Sequence, residues 1–210
     1  NAHVNSPLPR ANSLKLANRT GFSIGQFVME TDTNELARQL SLNNQNLFVN
    51  IQARELLDKA WTRPDCMESS INVIALKDQF NKITDWVSTC IVLQAKTKQR
   101  IKLLDKFIHL AIHCKELNNF HSLVAIIGGL RDPAVARCRK TWRGLSVKLQ
   151  TAFDNLVNLI SVHGNWVAYR QVLKSTLDKR EPCVPYIGVF LKDLVFIEDG
   201  LPSTLTVNGE

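Results

Sequence analysis

Long apolar runs are missing from this sequence. No segment of the 210-residue chain approaches the roughly 18–20 consecutive apolar residues that cross a bilayer, so we expect no membrane span. Polar Asn1 and Ser6 stand where a secretory signal would have its apolar core. Because the chain starts at Asn1 rather than Met, we expect a fragment of a longer protein. With 45% hydrophobic and 21% charged residues, the composition excludes a wholly disordered or collagen-like chain and predicts a folded domain.

Cysteine is scarce, and its spacing excludes several classes of protein. The five cysteines include no CxxC pair, so a zinc ribbon or a thioredoxin-like site is absent, and their low density excludes a disulfide miniprotein. The first four lie 24 residues apart, but their neighbours differ, and we interpret the period as coincidence. We expect reduced, mostly buried thiols in a cytosolic protein at Cys66, Cys90, Cys114, Cys138 and Cys183.

Motifs that carry catalysis or hold a cofactor are also lacking. The chain has no GxGxxG, GxxxxGK[ST], GxSxG or HExxH pattern. His109 and His113 are four residues apart on one helical face, but a metal site needs further ligands, which favours surface or packing roles. Glu198 and Asp199 are adjacent, so on a helix they point in different directions and do not form a general acid/base pair. We therefore expect no cofactor and no metal.

The net charge of +7, from 26 basic and 19 acidic residues, leaves several partners open. A basic chain can meet nucleic acid, an anionic membrane or an acidic protein surface. The basic residues are spread out, however, and the densest stretch contains only Arg137, Arg139, Lys140 and Arg143. A helical nucleic-acid binder therefore stays a minor alternative, and it would lose affinity steeply with salt.

The apolar pattern predicts an all-α fold. Residues 1–30 have no sustained period and are expected to be a linker or a poorly ordered lead-in, and the domain is expected to span residues 31–210. Asp32 and Glu35 form an N-terminal helix signal. Apolar residues follow the helical period over residues 98–116, and residues 119–130 are apolar almost all round, which predicts a central buried helix. Close helix packing explains the glycines Gly128 and Gly129 within it.

Residues 182–200 are the most informative stretch. Two prolines, Pro182 and Pro185, precede a segment with two neighbouring apolar stripes, more than one face against a core requires. The acids Glu198 and Asp199 then oppose the dipole at the helix end, which indicates either a solvated end or a functional demand. The segment is either a buried strand or helix, or a helix that presents apolar groups and a terminal acid to a partner.

Six segments in family order resemble the catalytic (RasGEF) domain of Ras-family guanine-nucleotide exchange factors. The most specific are HCKELNNF at residues 113–120 and the PCVP…LKDLVFIEDG pattern of residues 182–200; the others are residues 35–41, 80–87, 102–108 and 140–142. The resemblance covers residues 33–210. It implies an all-helical domain that binds a Ras, Rap or Ral type GTPase and accelerates GDP release without covalent chemistry, at the membrane surface where that GTPase is anchored.

In the family, a protruding helical hairpin pries switch I of the GTPase away from the nucleotide. Residues 186–199 match the first hairpin helix. The resemblance assigns Val195 to the position that occludes the magnesium site, and Asp199 to the acid that pairs with the phosphate-loop lysine of the GTPase. Leu201 stands where Asn is frequent. A domain that binds the nucleotide-free GTPase more tightly than the nucleotide-bound GTPase must weaken nucleotide binding by the same factor. This linkage is the mechanism of exchange.

A second family surface is a pocket for an aromatic residue of switch II. The positions that match the lining of this pocket are Val124, Arg131, Trp166 and Tyr186. Lys77 and Asp78 match positions at its edge, and Lys77 stands where the family usually has an apolar residue. On the hairpin helix, Val189 and Lys192 are also assigned to GTPase binding.

The second hairpin helix of the family would begin just after Glu210. We therefore expect a domain that stops after its first hairpin helix and exchanges nucleotide poorly when alone. The alternative is a module of the same fold that binds a GTPase, or another protein, without exchange. The departures at Lys77 and Leu201 favour that alternative, and any recruitment to a membrane would depend on regions outside this chain.

Overall fold

The computed structural model describes residues 24–200, which are mainly helical. Within this range no strand forms, and the one strand-like feature is an isolated parallel bridge between Asn119 and Val184. In chain order the helices are α1 (Ile24–Glu30), α2 (Thr33–Val49), a bent 3₁₀ segment (Ala53–Thr62), α3 (Cys66–Ser69), α4 (Ile71–Val92), α5 (Thr97–Glu116), α6 (Phe120–Leu130), α7 (Pro133–Ala136), α8 (Arg139–Trp142), α9 (Val147–Leu159), α10 (His163–Asp178) and α11 (Ile187–Gly200). The all-α prediction is confirmed.

The core is built around α6, as the apolar pattern predicts. Ten of its eleven residues are buried, and it packs against α4 and α5. Gly129 is the point of closest approach, because a Cβ there would lie 2.5 Å from the Thr84 carbonyl oxygen of α4. A Cβ at Gly128 would lie 3.7 Å from Thr84 Oγ1, an ordinary contact. Close packing therefore accounts for only one of the two glycines.

The start of α2 follows its sequence signal. The Asp32 side chain accepts hydrogen bonds from the backbone N–H groups of Asn34 and Glu35, which are unpaired donors in the first turn. Just before it, α1 corrects the expected lead-in. Residues 24–30 are helical and Val28 is 1% exposed in the core, so the lead-in does not extend to residue 30. Residues 1–23 lie outside the described part of the chain.

A smaller apolar cluster lies beside the main core and carries α11. Trp61 of the 3₁₀ segment and Leu76 of α4 pack there against Ile187 and Leu191. Glu55 anchors the 3₁₀ segment to the start of α4, since it accepts hydrogen bonds from the backbone N–H groups of Asn72 (2.8 Å) and Val73 (3.1 Å). Desolvation raises the pKa of buried Glu55, but these bonds and those from the Asn72 amide and the Gln52 backbone outweigh it and hold the pKa below its ordinary value.

None of the helices described over residues 24–200 has both the length and the apolar content needed to cross a membrane.

Candidate functional site

Helix α11 is apolar on more than one side; it is buried in its first turns and exposed near its end. Ile187, Val189 and Leu191 are buried. Phe196 and Ile197, near its end, keep 63% and 53% of their surface exposed. The helix begins two residues after Pro185, as the prolines predict, and extends from the smaller cluster toward solvent. Of the two alternatives for residues 182–200, the structure shows a helix whose end exposes apolar groups, and their presentation to a partner stays a prediction.

Two separate sequence motifs meet where the chain enters α11. The Val184 N–H donates to the Asn118 carbonyl (3.0 Å), and the His121 N–H donates to the Val184 carbonyl (3.3 Å). The Asn118 side chain also donates to the Pro182 carbonyl (3.3 Å). The loop before α6 thus fixes the segment that leads into α11.

An aromatic cluster lies at the base of α11, with Tyr186 at its centre. The Tyr186 ring lies 5.4 Å from that of Trp166, 5.3 Å from that of Phe80 and 6.1 Å from that of His121, centroid to centroid. The Tyr169 hydroxyl oxygen accepts a hydrogen bond from the Tyr186 N–H at 2.9 Å.

Glycine at position 188 is what admits the Tyr186 ring to this cluster. A Cβ on Gly188 would lie 2.5 Å from the Tyr186 ring, so any larger residue would push the ring out of place. The cluster therefore depends on a small residue in the first turn of α11.

The turn at residues 164–166, here called the left-handed turn, presents Trp166. Gly164, Asn165 and Trp166 have φ values of 57°, 54° and 63°. Such a conformation costs a non-glycine residue about 1–2 kcal/mol, so neighbouring contacts must hold it. The Trp166 ring packs against Tyr169 and Tyr186, with centroids 6.1 and 5.4 Å away.

Arg170 joins this turn to α11. Its Nε donates to the Asn165 carbonyl at 2.8 Å, and its Nη2 lies 2.8 Å from both carboxylate oxygens of Asp193. Both side chains are about one-third exposed, at 33% and 31%. One guanidinium therefore bonds to the left-handed turn and to the middle of α11 together.

The far end of α11 is held by the 3₁₀ segment. The Asp58 N–H donates to Glu198 Oε1 at 3.0 Å, and the Lys59 ammonium pairs with the Asp199 carboxylate. The hydrogen bond from Lys59 to Asp199 raises the pKa of Lys59. Asp58 and Lys59 themselves have φ values of 49° and 52°. Both terminal acids of α11 therefore have partners within the chain.

An apolar groove of about 810 Å³ lies between α11 and the end of α2. Asp193 is the one charged residue among those that line it; the others are Phe48, Val49, Ile51, Leu56, Pro185, Ile187, Phe190, Leu191, Leu194 and Ile197. Such a lining suits apolar side chains rather than a charged small molecule.

The structure brings some of the predicted site residues together. Trp166 and Tyr186 are in ring contact, and Lys77 and Asp78 are exposed on α4 just before Phe80 of the same cluster. Arg131 is exposed at the end of α6. The remaining predicted residues lie along α11, where Lys192 is exposed with its ammonium 5.4 Å from the Phe196 ring centroid, Val195 is half-buried and Asp199 is exposed. Leu201 lies outside the described residues.

Two predicted contact residues are largely withdrawn from the surface. Val189 is 1% exposed within the main core, so it offers a partner almost no surface in this conformation, and its assignment to GTPase binding stays a prediction. Val189 lies on the face of α11 opposite Ile187, which packs in the smaller cluster, so both faces of the first turns are covered. Val124 is 6% exposed and can contribute little more than packing beneath a pocket.

The histidines of α5 interact with carboxylates of their own helix. His109 Nδ1 lies 3.2 Å from Asp105 Oδ1, and His113 Nδ1 lies 2.9 Å from Glu116 Oε2. Over residues 24–200, no three His, Cys, Asp or Glu side chains form a group that could hold a metal ion.

Sequence reasoning missed several residues that build the site. Phe80 and His121 complete the aromatic cluster, Arg170 and Asp193 form the ion pair, and Lys59 holds Asp199. Asp193 carried a signal, because it interrupts an apolar stripe. Lys59 and Arg170 carried none, since their partners lie 140 and 23 residues away along the chain.

Comparison with known proteins agrees with this architecture. The family model of the RasGEF domain matches residues 35–210. Ras guanine nucleotide exchange factor M of Dictyostelium discoideum is 40% identical over 173 residues, which cover 82% of this chain and 18% of that protein. Cell division control protein 25 of Saccharomyces cerevisiae is 38% identical over 179 residues, 85% of this chain and 11% of that protein.

The chain belongs to the RasGEF domain family. It spans less than a fifth of the length of each of these two relatives.

Proposed function

We propose that this domain is a guanine-nucleotide exchange factor for a Ras-family small GTPase and acts in the cytoplasm, at the membrane surface where that GTPase is anchored. The observation that carries the proposal is α11 itself. It is an apolar helix that leaves Phe196 and Ile197 exposed and ends in two carboxylates. Exposed apolar surface rimmed by charge is typical of a protein-binding site.

In this proposal α11 enters between switch I and the nucleotide site. Val195, one turn before Asp199, brings its methyl groups to the magnesium site, where they occlude the ion without coordinating it. Asp199 pairs with the phosphate-loop lysine and replaces the charge of the departing phosphate. Stabilising the nucleotide-free GTPase in this way weakens GDP binding by the same factor.

Asp199 must first leave Lys59. The two side chains form an ion pair and are 59% and 34% exposed, so the bond is solvated and weak. The phosphate-loop lysine would replace Lys59 with a group of the same charge and chemistry. The exchange of one lysine for another therefore costs little.

The aromatic cluster supplies the second contact. Trp166 and Tyr186 are half-buried, so each retains surface for a partner's side chain. Two anchoring points, one at each end of α11, would orient the helix on the GTPase.

The test is release of fluorescent GDP from Ras, Rap, Ral and Rho type GTPases, measured alongside binding to the nucleotide-free and GDP-loaded forms. We expect acceleration for one subgroup and tighter binding to its nucleotide-free form. Asp199→Asn should reduce both by tenfold or more, roughly the loss caused by removing one member of a desolvated charge pair.

Glu198→Gln is the matched control. The side chains are adjacent, and Gln still offers an oxygen to the Asp58 N–H, so exchange should be nearly unchanged. Equal binding to the two GTPase forms, with no effect on GDP release from any of them, would contradict the proposal.

A second candidate is a module of the same fold that binds without exchange. The Lys59–Asp199 ion pair favours binding without exchange, because Lys59 already engages the carboxylate that exchange requires. This candidate predicts GTPase binding that neither accelerates GDP release nor changes with Asp199→Asn.

A further inference from the structure

The Arg170–Asp193 ion pair links α10 to α11 but takes no part in the proposed exchange mechanism. α10 holds α11 through two adjacent residues, Tyr169 at the Tyr186 backbone and Arg170 at Asp193. The first contact fixes where α11 starts. The second lies about two turns further along and fixes its direction.

The same guanidinium also supports the left-handed turn. Its bond to the Asn165 carbonyl lies beside Trp166, whose φ of 63° a bulky residue rarely adopts. Such a conformation persists only where surrounding contacts determine it. Arg170 is the residue whose polar contacts reach both this turn and α11.

The pair is suited to a positioning role. At about one-third exposure its atoms are partly shielded from solvent, unlike the Arg38–Glu35 pair, which is 64% and 48% exposed. Arginine offers several donors in a rigid plane, so it can bond to two acceptors in different directions, which a lysine ammonium does less precisely. Asp193 is also the charged residue in a groove lining whose other described residues are apolar. Its ion pair with Arg170 therefore supplies the partner that its partly buried carboxylate needs.

We propose that Arg170 is a positioning residue that sets the direction of α11 relative to the left-handed turn. It thereby holds the Trp166–Tyr186 surface and the Val195–Asp199 surface in one arrangement. The effect of Arg170 on GDP release rests on the proposed exchange function, whereas the structural coupling can be measured without a GTPase.

The first experiment compares Arg170→Met, Asp193→Asn and the double variant in GDP release. The maximal release rate should fall about tenfold, within the range of typical coupling between sites. The domain concentration for half-maximal rate should change less than about threefold, because the aromatic cluster still binds. The double variant should lose no more than Arg170→Met alone, since both single variants break the Arg170–Asp193 interaction.

The second experiment needs no GTPase. In 5-fluorotryptophan-labelled protein, ¹⁹F NMR reports on each of the four tryptophans, and Trp166→Phe identifies the Trp166 resonance. We expect Asp193→Asn to shift the Trp166 resonance as Arg170→Met does, although Asp193 lies on another helix. Arg38→Met, which breaks an ion pair on α2, should shift it in neither position nor width.

The outcomes separate the two proposals. An unchanged Trp166 resonance in Asp193→Asn, or losses that multiply in the double variant, would overturn the role of Arg170. If the parent chain accelerates no GTPase, the exchange proposal fails, and the ¹⁹F result still decides whether Arg170 couples the turn to α11. Retained melting cooperativity in each variant excludes simple unfolding as the cause.

Discussion

Helices α6 and α11 are both strongly apolar, yet the fold uses them in opposite ways. In α6 ten of eleven residues are buried, whereas in α11 only three of fourteen are. The difference comes from their surroundings. α6 packs between α4 and α5, while only the first turns of α11 are packed, with Ile187 and Leu191 in the smaller cluster and Val189 in the main core. Apolar composition therefore accompanies burial throughout α6 and exposure at the end of α11.

The two helices also differ in what holds them. Interlocked packing at Gly129 fixes α6. In α11 packing fixes the first turns, and discrete polar contacts hold the rest, through Arg170 near its middle and through Asp58 and Lys59 at its end. A helix held by a few polar contacts can exchange them for contacts with a partner. A helix held by packing cannot do so without unfolding the core.

The largest expected effect comes from filling the contact beneath α6. Gly129→Ala should destabilise the fold by about 3 kcal/mol, because the new methyl group meets the Thr84 backbone, which cannot move aside cheaply. Chemical denaturation measures the change. Gly128→Ala, in the same helix, should stay within about 1 kcal/mol of the parent. Equal losses in the two variants would contradict the packing argument.

A pH effect should follow from His121 in α6. Burial lowers its pKa to about 4 from 6.5, while a hydrogen bond to the Leu76 carbonyl opposes this. The unfolded chain then binds more protons between these values, so stability should fall by about 3 kcal/mol as the pH is lowered from 6.5 to 4. His121→Gln should flatten this part of the melting-temperature profile. Exposed His163→Gln should leave it unchanged, and an unchanged profile in His121→Gln would disprove the assignment.

On α11 a large apolar residue should be removable without loss of the fold. Phe196→Ser should change the free energy of unfolding by no more than about 0.5 kcal/mol, because its ring is mostly exposed. GTPase binding should weaken about tenfold if the ring is a contact residue. Val147→Ser on α9, where the side chain is 79% exposed, is the control and should alter neither quantity. A marked drop in melting temperature would show that Phe196 supports the fold.

The smallest effect is expected at the end of α11. Lys59→Met should leave the melting temperature unchanged, because its ion pair with Asp199 is solvated. Binding to nucleotide-free GTPase should strengthen about twofold, since Asp199 no longer has a competing lysine. Lys98→Met, at an exposed position of α5, should have no effect. Weaker binding in Lys59→Met would mean that Lys59 supports α11 rather than competes for its acid.

Much of the helical framework could be predicted from sequence. The period over residues 98–116 corresponds to α5, the apolar run at 119–130 to α6, and the cap at Asp32 to the start of α2. Each of these signals is local, because caps and helical periods depend on residues within a few positions of one another. The expected lead-in of residues 1–30 includes residues of α1, because that helix is too short for its helical period to be recognised in the sequence.

The site was predictable only in part. Resemblance assigned Trp166, Tyr186 and Asp199 to GTPase contacts, which stay predictions, and it also placed Val189 at a surface where the fold buries it. The aromatic contacts of Phe80 and His121 with Tyr186 join positions 106 and 65 residues apart, for which a single sequence has no signal.

The sequence by itself determined the start of α2, the helices α5 and α6, and that residues 182–200 carry an excess of apolar groups ending in acids. Periodicity and capping act over one or two turns, so they can be read along the chain. The tertiary structure alone decided which face of α11 is covered, that Asp199 pairs with Lys59, and that Arg170 ties the left-handed turn to Asp193. These are contacts between distant segments, and their partners are chosen by how the helices pack.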